Sequence, residues 1–226
     1  MVGCLTKAAP KPYTTPPPHP AQHQPNPATG ASMDSDPVYL HIRVVLSIIL
    51  GLSITTLLRG LASIIEHPKR RGWSWIHLCW VVWALVSVVT FWWWEFRLGE
   101  VRHWNVETYL FVIGYCASWF MLCTLLFPDD VREFGSLENY LLQRRGGFFG
   151  VLALITVLDL VDTAIKGHSR WQMLGQAYWV HTVLMLVIAA LGITMKTRRG
   201  QLWLALAALG YQCGYFAAEY FTLGSD

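Results

Sequence analysis

Six stretches of apolar residues, each close to the length of a bilayer span, fix most of what this chain can become. A helix rising 1.5 Å per residue needs about 20 apolar residues to cross roughly 30 Å of hydrocarbon. Within a few residues at each end, the stretches run Val44 to Ile65, Trp73 to Trp94, Thr108 to Phe127, Phe148 to Ile165, Leu174 to Met195 and Leu202 to Leu223. The linkers HPKRRGW, KGHSRW and KTRRGQ are short, so neighbouring helices must run antiparallel. The expected fold is all-α: a polytopic membrane protein built as a six-transmembrane-helix bundle.

Composition agrees. The chain is 54% hydrophobic and 14% charged, against about 25% charged in soluble domains, which excludes an ordinary soluble enzyme. Its five cysteines form no CxxC pair and four lie inside apolar runs, which excludes a secreted disulfide scaffold. Nine of the eleven prolines precede residue 38. Residues 1–37 are therefore expected to be a disordered, proline-rich tail, with 38–226 as the transmembrane domain. A start at Met33 would leave only a short acidic lead, DSDPVYLHIRVV, before the first helix.

Trp73 and Trp75 open the second stretch and Trp92, Trp93 and Trp94 close it, as an aromatic belt requires at the two headgroup levels; the alternative is a substrate cage. Val131, Phe134, Leu137 and Leu141 share a face over residues 131–145, followed by Arg144 and Arg145, which predicts a short helix on the membrane surface. The first, third and fifth loops carry nine lysines and arginines against five on the other side. By the positive-inside rule both termini lie outside, in a plasma membrane or prokaryotic inner membrane.

Ionisable residues deep in a span need a partner or a job, because insertion of Arg, Lys or Asp at a helix centre costs about 2.5–3.5 kcal/mol. Arg59 shares a stripe with Thr56 and Ser63 that should turn inward, although snorkelling to the headgroups is the plainer explanation. In TVLDLVDTAIKG, Asp162 has Lys166 at i+4, whereas Asp159 has no partner in sequence and is expected to be protonated or paired across helices. His181 lies at a similar depth, and Tyr211, Gln212, Tyr215 and Glu219 run along one side of the last stretch. Asp159, Asp162, His181 and Glu219 are thus expected to converge in the outer half of the bundle, with Arg59 as a further candidate.

Those groups could relay protons or bind a cation. No HxxxH or ExxH spacing appears, so no metal site is assigned. His77 and His181 sit on different helices at different depths, a poor match to an axial haem pair, and no cofactor is expected. Glu66, His67, Glu95 and His103 lie near span ends, where solvated roles are the default. Gly210, Gly214 and Ala218 make a small-residue ridge that lets another helix approach closely. That helix is expected to come from the same chain, a second copy being the alternative; the lipid bilayer is the expected partner, and nucleic acid is not.

Arg59 precedes His77 by 18 residues and Asp162 precedes His181 by 19, a spacing that hints at two inverted three-helix halves. Three functions fit: a small transporter or channel for protons, a cation or a small solute; a structural or assembly protein; and an embedded enzyme acting on lipid or quinone. The phosphate-loop, GxSxG, HExxH and TVGYG signatures are absent, so an enzyme is the weakest of the three.

Overall fold

The computed structural model describes residues 37–67, 73–95, 105–128, 130–165 and 168–223, excluding the side chains of 37–39, 94, 168–174 and 219–223. The expected tail at 1–37 lies outside the described residues apart from its last position. Six helices follow in order: α1 (Pro37–Glu66), α2 (Trp75–Trp94), α3 (Val106–Thr124), α4 (Leu137–Ile165), α5 (His168–Thr194) and α6 (Arg198–Leu223). Among the described residues there is no strand. Five helices carry a segment long and apolar enough to span a membrane: Leu40–Glu66, Trp75–Trp93, Val106–Thr124, Leu137–Ile165 and Gly175–Thr194. The sixth is long enough at 26 residues, but Arg198, Arg199, Gln201 and Gln212 dilute its apolar run.

Local chemistry sets the helix ends. Ser74 caps α2, its hydroxyl accepting the His77 N–H at 3.3 Å, and Asn105 caps α3 by accepting the Thr108 N–H at 2.7 Å. Residues 131–136 form turns, and Leu137–Arg145 is the first part of α4. The separate surface helix expected over 131–145 is therefore absent: its apolar residues Leu137 and Leu141 are buried, so the segment packs on the bundle and runs on into the fourth span.

Helix α2 is the centre of the bundle. It touches α1, α3, α4 and α6, and 61% of its span is buried against 28–39% for the other four spans. Trp80, fully buried, meets Phe148 and Phe149 of α4 edge-on at 5.3 and 5.1 Å, a favoured aromatic geometry. Trp73, Trp75, Trp92 and Trp93, at the two ends of the helix, are exposed as a belt requires. The most extensive pairings are α4 with α5, α1 with α3 and α2 with α6. This pattern does not repeat between halves: α4 and α6 make no contact comparable to α1 and α3 among the described residues.

Two close approaches depend on glycine. A Cβ at Gly60 would collide with the Phe127 ring, and one at Gly192 with the Phe149 ring. Gly175 interrupts α5 with φ 59 and ψ −155, a conformation essentially restricted to glycine. The apolar part of α5 starts there.

The starts of α2, α4 and α6 meet at one end of the bundle. Ser74 donates to Glu138 Oε2 at 3.0 Å, Arg198 Nε lies 3.3 Å from Glu138 Oε1, and Arg198 Nη2 donates to Asn139 at 2.9 Å. Buried Gln201 donates to the Gly192 and Met195 carbonyls, both at 2.8 Å, satisfying acceptors that the end of α5 leaves open. His77 Nε2 contacts the Leu126 carbonyl at 2.7 Å and ties α2 to the turn after α3. Because α2, α4 and α6 start at this end, their directions agree with the antiparallel order required by the short loops.

Candidate functional site

Toward the opposite end, α2 to α6 surround a cavity of about 130 Å³, room for several waters or one small solute. Its polar wall includes Asp159 and Thr156 from α4, His181 from α5, Gln212 from α6, and Ser87, Thr90 and Glu95 along and just after α2. Its apolar wall is mostly aromatic: Trp83, Phe91, Tyr115, Trp119, Tyr178, Tyr215 and Phe216. Both charged residues on this wall, Asp159 and Glu95, are acidic; among the described residues no lysine or arginine lines it.

Asp159 is held from two sides. Tyr115 of α3 donates its hydroxyl to Oδ1 at 3.2 Å, and Tyr178 of α5 donates to Oδ2 at 2.8 Å. The Tyr178 hydroxyl also lies 3.2 Å from the Asp159 carbonyl and accepts from Thr163 at 3.0 Å. Three helices thus converge on one carboxyl group. Two of these residues follow from helical spacing: Asp159 and Thr163 are one turn apart on α4, so both reach the same tyrosine. Tyr178 lies less than one turn beyond Gly175, whose backbone break sets the line on which this part of α5 enters the bundle.

His181, one turn further along α5, faces the same space. Its ring stacks with Tyr215 at 4.6 Å and Tyr211 at 5.6 Å, these two tyrosines being 5.9 Å apart, and its Nδ1 lies 3.1 Å from the Tyr211 hydroxyl. The hydroxyl donates when Nδ1 is the unprotonated nitrogen. Deeper in the wall, the Trp83 and Trp119 indole nitrogens and the Ser87 hydroxyl have no hydrogen-bond partner among the described residues. Buried polar groups left in that state are rare and mark places of interest.

Of the residues expected to converge, Asp159 and His181 do line one cavity, joined by Gln212 and Tyr215. Asp162 is buried but does not line it, and its expected partner Lys166 lies outside the described residues. Glu219 falls on α6 with its side chain outside the described residues. Arg59 is exposed on the outer face of α1 and does not line the cavity, so its stripe does not turn inward as expected. The buried face of α1 is instead Ile42, Leu46, Leu50, Ser53 and Leu57, and Thr56 spends its hydroxyl on the Leu52 carbonyl of its own helix.

The ridge of Gly210, Gly214 and Ala218 is exposed, and a Cβ at either glycine would meet nothing within 4 Å. This corrects the expected packing within the chain: α6 turns Leu204, Ala205, Ala208 and Gln212 inward instead. Glu95, like Tyr115 and Tyr178, is a cavity residue that sequence reasoning missed. Placed by its position at a span end among solvated groups, it is 7% exposed and lines the cavity. The available signal was its position between Trp94 and Phe96, directly after the WWW run.

Among the described residues, no three His, Cys, Asp or Glu side chains gather where they could hold a metal ion.

No family model, curated protein or solved structure matches this chain.

Proposed function

We propose that this chain is a six-span integral membrane protein whose outer-half cavity takes up a small polar or charged solute and passes it across the bilayer, as a small transporter or channel. The observation that carries the reading is that Asp159 and His181, each inside a helical segment long and apolar enough to cross a membrane, border one cavity. Polar groups in that position are costly unless they serve a pathway or hold one another. What supports α6 as the sixth span is its length of 26 residues and its packing along α2, the most buried of the five apolar spans. Both termini lie outside by the count of basic residues; a phosphatase fused after Asp226 should be active, and an inactive fusion reverses the orientation.

Flux into proteoliposomes, followed with protons, monovalent cations and small neutral solutes, tests the pathway. Wild-type vesicles should exceed empty ones for at least one of these, and Asp159→Asn, reconstituted below its own melting temperature, should remove most of the excess. Equal flux in wild type and variant refutes the pathway. One observation favours a second reading, a structural or assembly protein: Asp159 is already clasped by Tyr115 and Tyr178. In that case the substitution lowers the melting temperature and there is no flux to lose.

A further inference from the structure

At the end of the bundle where α2, α4 and α6 start, we infer a binding site for the phosphate headgroup of an anionic phospholipid, formed by Arg145 of α4 with Lys196 and Arg199 around the start of α6. The inference rests on the membrane-spanning reading and not on the cavity. Residues 137–147 and 194–200 together carry five basic residues, Arg144, Arg145, Lys196, Arg198 and Arg199, and one acidic residue, Glu138. Hydrogen bonds bring the two stretches side by side. Arg145 Nε donates to the Ile193 carbonyl at 3.0 Å, and Arg198 meets Glu138 and Asn139 about two turns earlier on α4. The one carboxylate of these stretches is already shared between Arg198 and Ser74. Positive charge is therefore left over on this face.

Its position matches a headgroup. The apolar part of α5 ends at Thr194, so Lys196 and Arg199 lie where a span leaves the hydrocarbon, and both are exposed. Among the described residues neither side chain has an ion pair or a hydrogen bond. Arg145 is held differently: its Nε and Nη1 donate to the Ile193 and Leu142 carbonyls at 3.0 and 2.7 Å, which fixes the guanidinium and leaves Nη2 for a ligand. A fork fixed in advance loses little freedom when it meets a phosphate, and its planar N–H groups match phosphate oxygens. Toward the middle of the bundle, the same two helices turn Leu154, Val157, Val187 and Leu191 outward. Acyl chains of the same molecule can lie along that face, which gives a lipid contacts that a free phosphate lacks.

The test titrates the detergent-purified full chain with phosphatidylglycerol or with phosphatidylcholine, and native mass spectrometry counts the lipids retained. Phosphatidylglycerol should bind saturably, and zwitterionic phosphatidylcholine at least about tenfold more weakly. Lys196→Gln and Arg199→Gln should each weaken phosphatidylglycerol binding about fivefold, equivalent to about 1 kcal/mol per charge, and the double variant about thirtyfold. Both side chains are exposed, so each variant should melt with the wild type in phosphatidylcholine nanodiscs. Arg43→Gln, near the start of α1 and so at the other end, removes the same charge and should leave binding unchanged. Equal retention of the two lipids, binding indifferent to the double variant, or an Arg43→Gln loss as large as that of Lys196→Gln overturns the inference. If inorganic phosphate displaces the lipid as effectively as added phosphatidylglycerol does, the ligand is the free ion and the lipid assignment falls. A chain that does not enter nanodiscs refutes the membrane-spanning reading and the site with it. Selective phosphatidylglycerol binding in a protein that carries no solute supports the site and leaves only the pathway refuted.

Discussion

Removing the Tyr178 hydroxyl gives the sharpest measure of how Asp159 is held. Tyr178→Phe deletes the 2.8 Å bond to Oδ2 and the acceptor that Thr163 uses at 3.0 Å, while the ring still fills its buried site. A hydrogen bond to a charged group contributes about 1.5–3 kcal/mol, and a neutral one about 1 kcal/mol. Thr163 recovers part of its loss by bonding elsewhere, so a net cost of about 2 kcal/mol is expected. In a chain of this size that corresponds to roughly 4–8 °C in melting temperature. Tyr115→Phe removes only the longer 3.2 Å bond and should cost about half as much. The double variant should lose more than the sum, because the second deletion leaves the carboxyl with neither hydroxyl. Thermal unfolding of the detergent-purified single and double variants gives the cycle directly. A Tyr178→Phe protein that melts with the wild type, or strictly additive losses, would show that these hydroxyls do not carry the carboxyl.

Two further outcomes follow from the packing. Gly60→Ala and Gly192→Ala should each cost about 1–3 kcal/mol by driving a methyl group into Phe127 or Phe149, whereas Gly210→Ala and Gly214→Ala should leave unfolding unchanged; equal melting curves for all four would contradict the helix contacts. Gln201→Leu strips the donors from the Gly192 and Met195 carbonyls and should lower stability by about 2 kcal/mol. An unshifted melting temperature for that variant would mean that water already serves those carbonyls.

The helices were legible from sequence because hydrocarbon thickness imposes a length, and length can be counted. Their ends were less so. α1 begins at Pro37 and not Val44, since a helix does not stop where its apolar run stops. The same argument explains the 131–145 segment, whose apolar face reads alike whether it meets a headgroup layer or the side of a bundle. Which way each helix turns was the hardest part. In water an apolar stripe points to the core, but in lipid both faces of a helix are apolar, so Arg59 with Thr56 and Ser63 gave no reliable direction. Asp159 and His181 were found because depth alone makes them expensive. Tyr115 and Tyr178 were not, since a tyrosine in a span has an ordinary role at the headgroup level. Glu95 escaped for the opposite reason: its place at a span end suggested water, and only the surrounding helices withhold it.

The hydrogen-bonded group of Ser74, Glu138, Asn139 and Arg198 draws on residues from near the start, the middle and the end of the folded region. During synthesis the ribosome must release almost the entire polypeptide before Arg198 becomes available. Earlier hairpins can enter the bilayer one after another, yet this fastening closes only once the last helix has begun to emerge, so a prematurely terminated product would be left unlatched on that side.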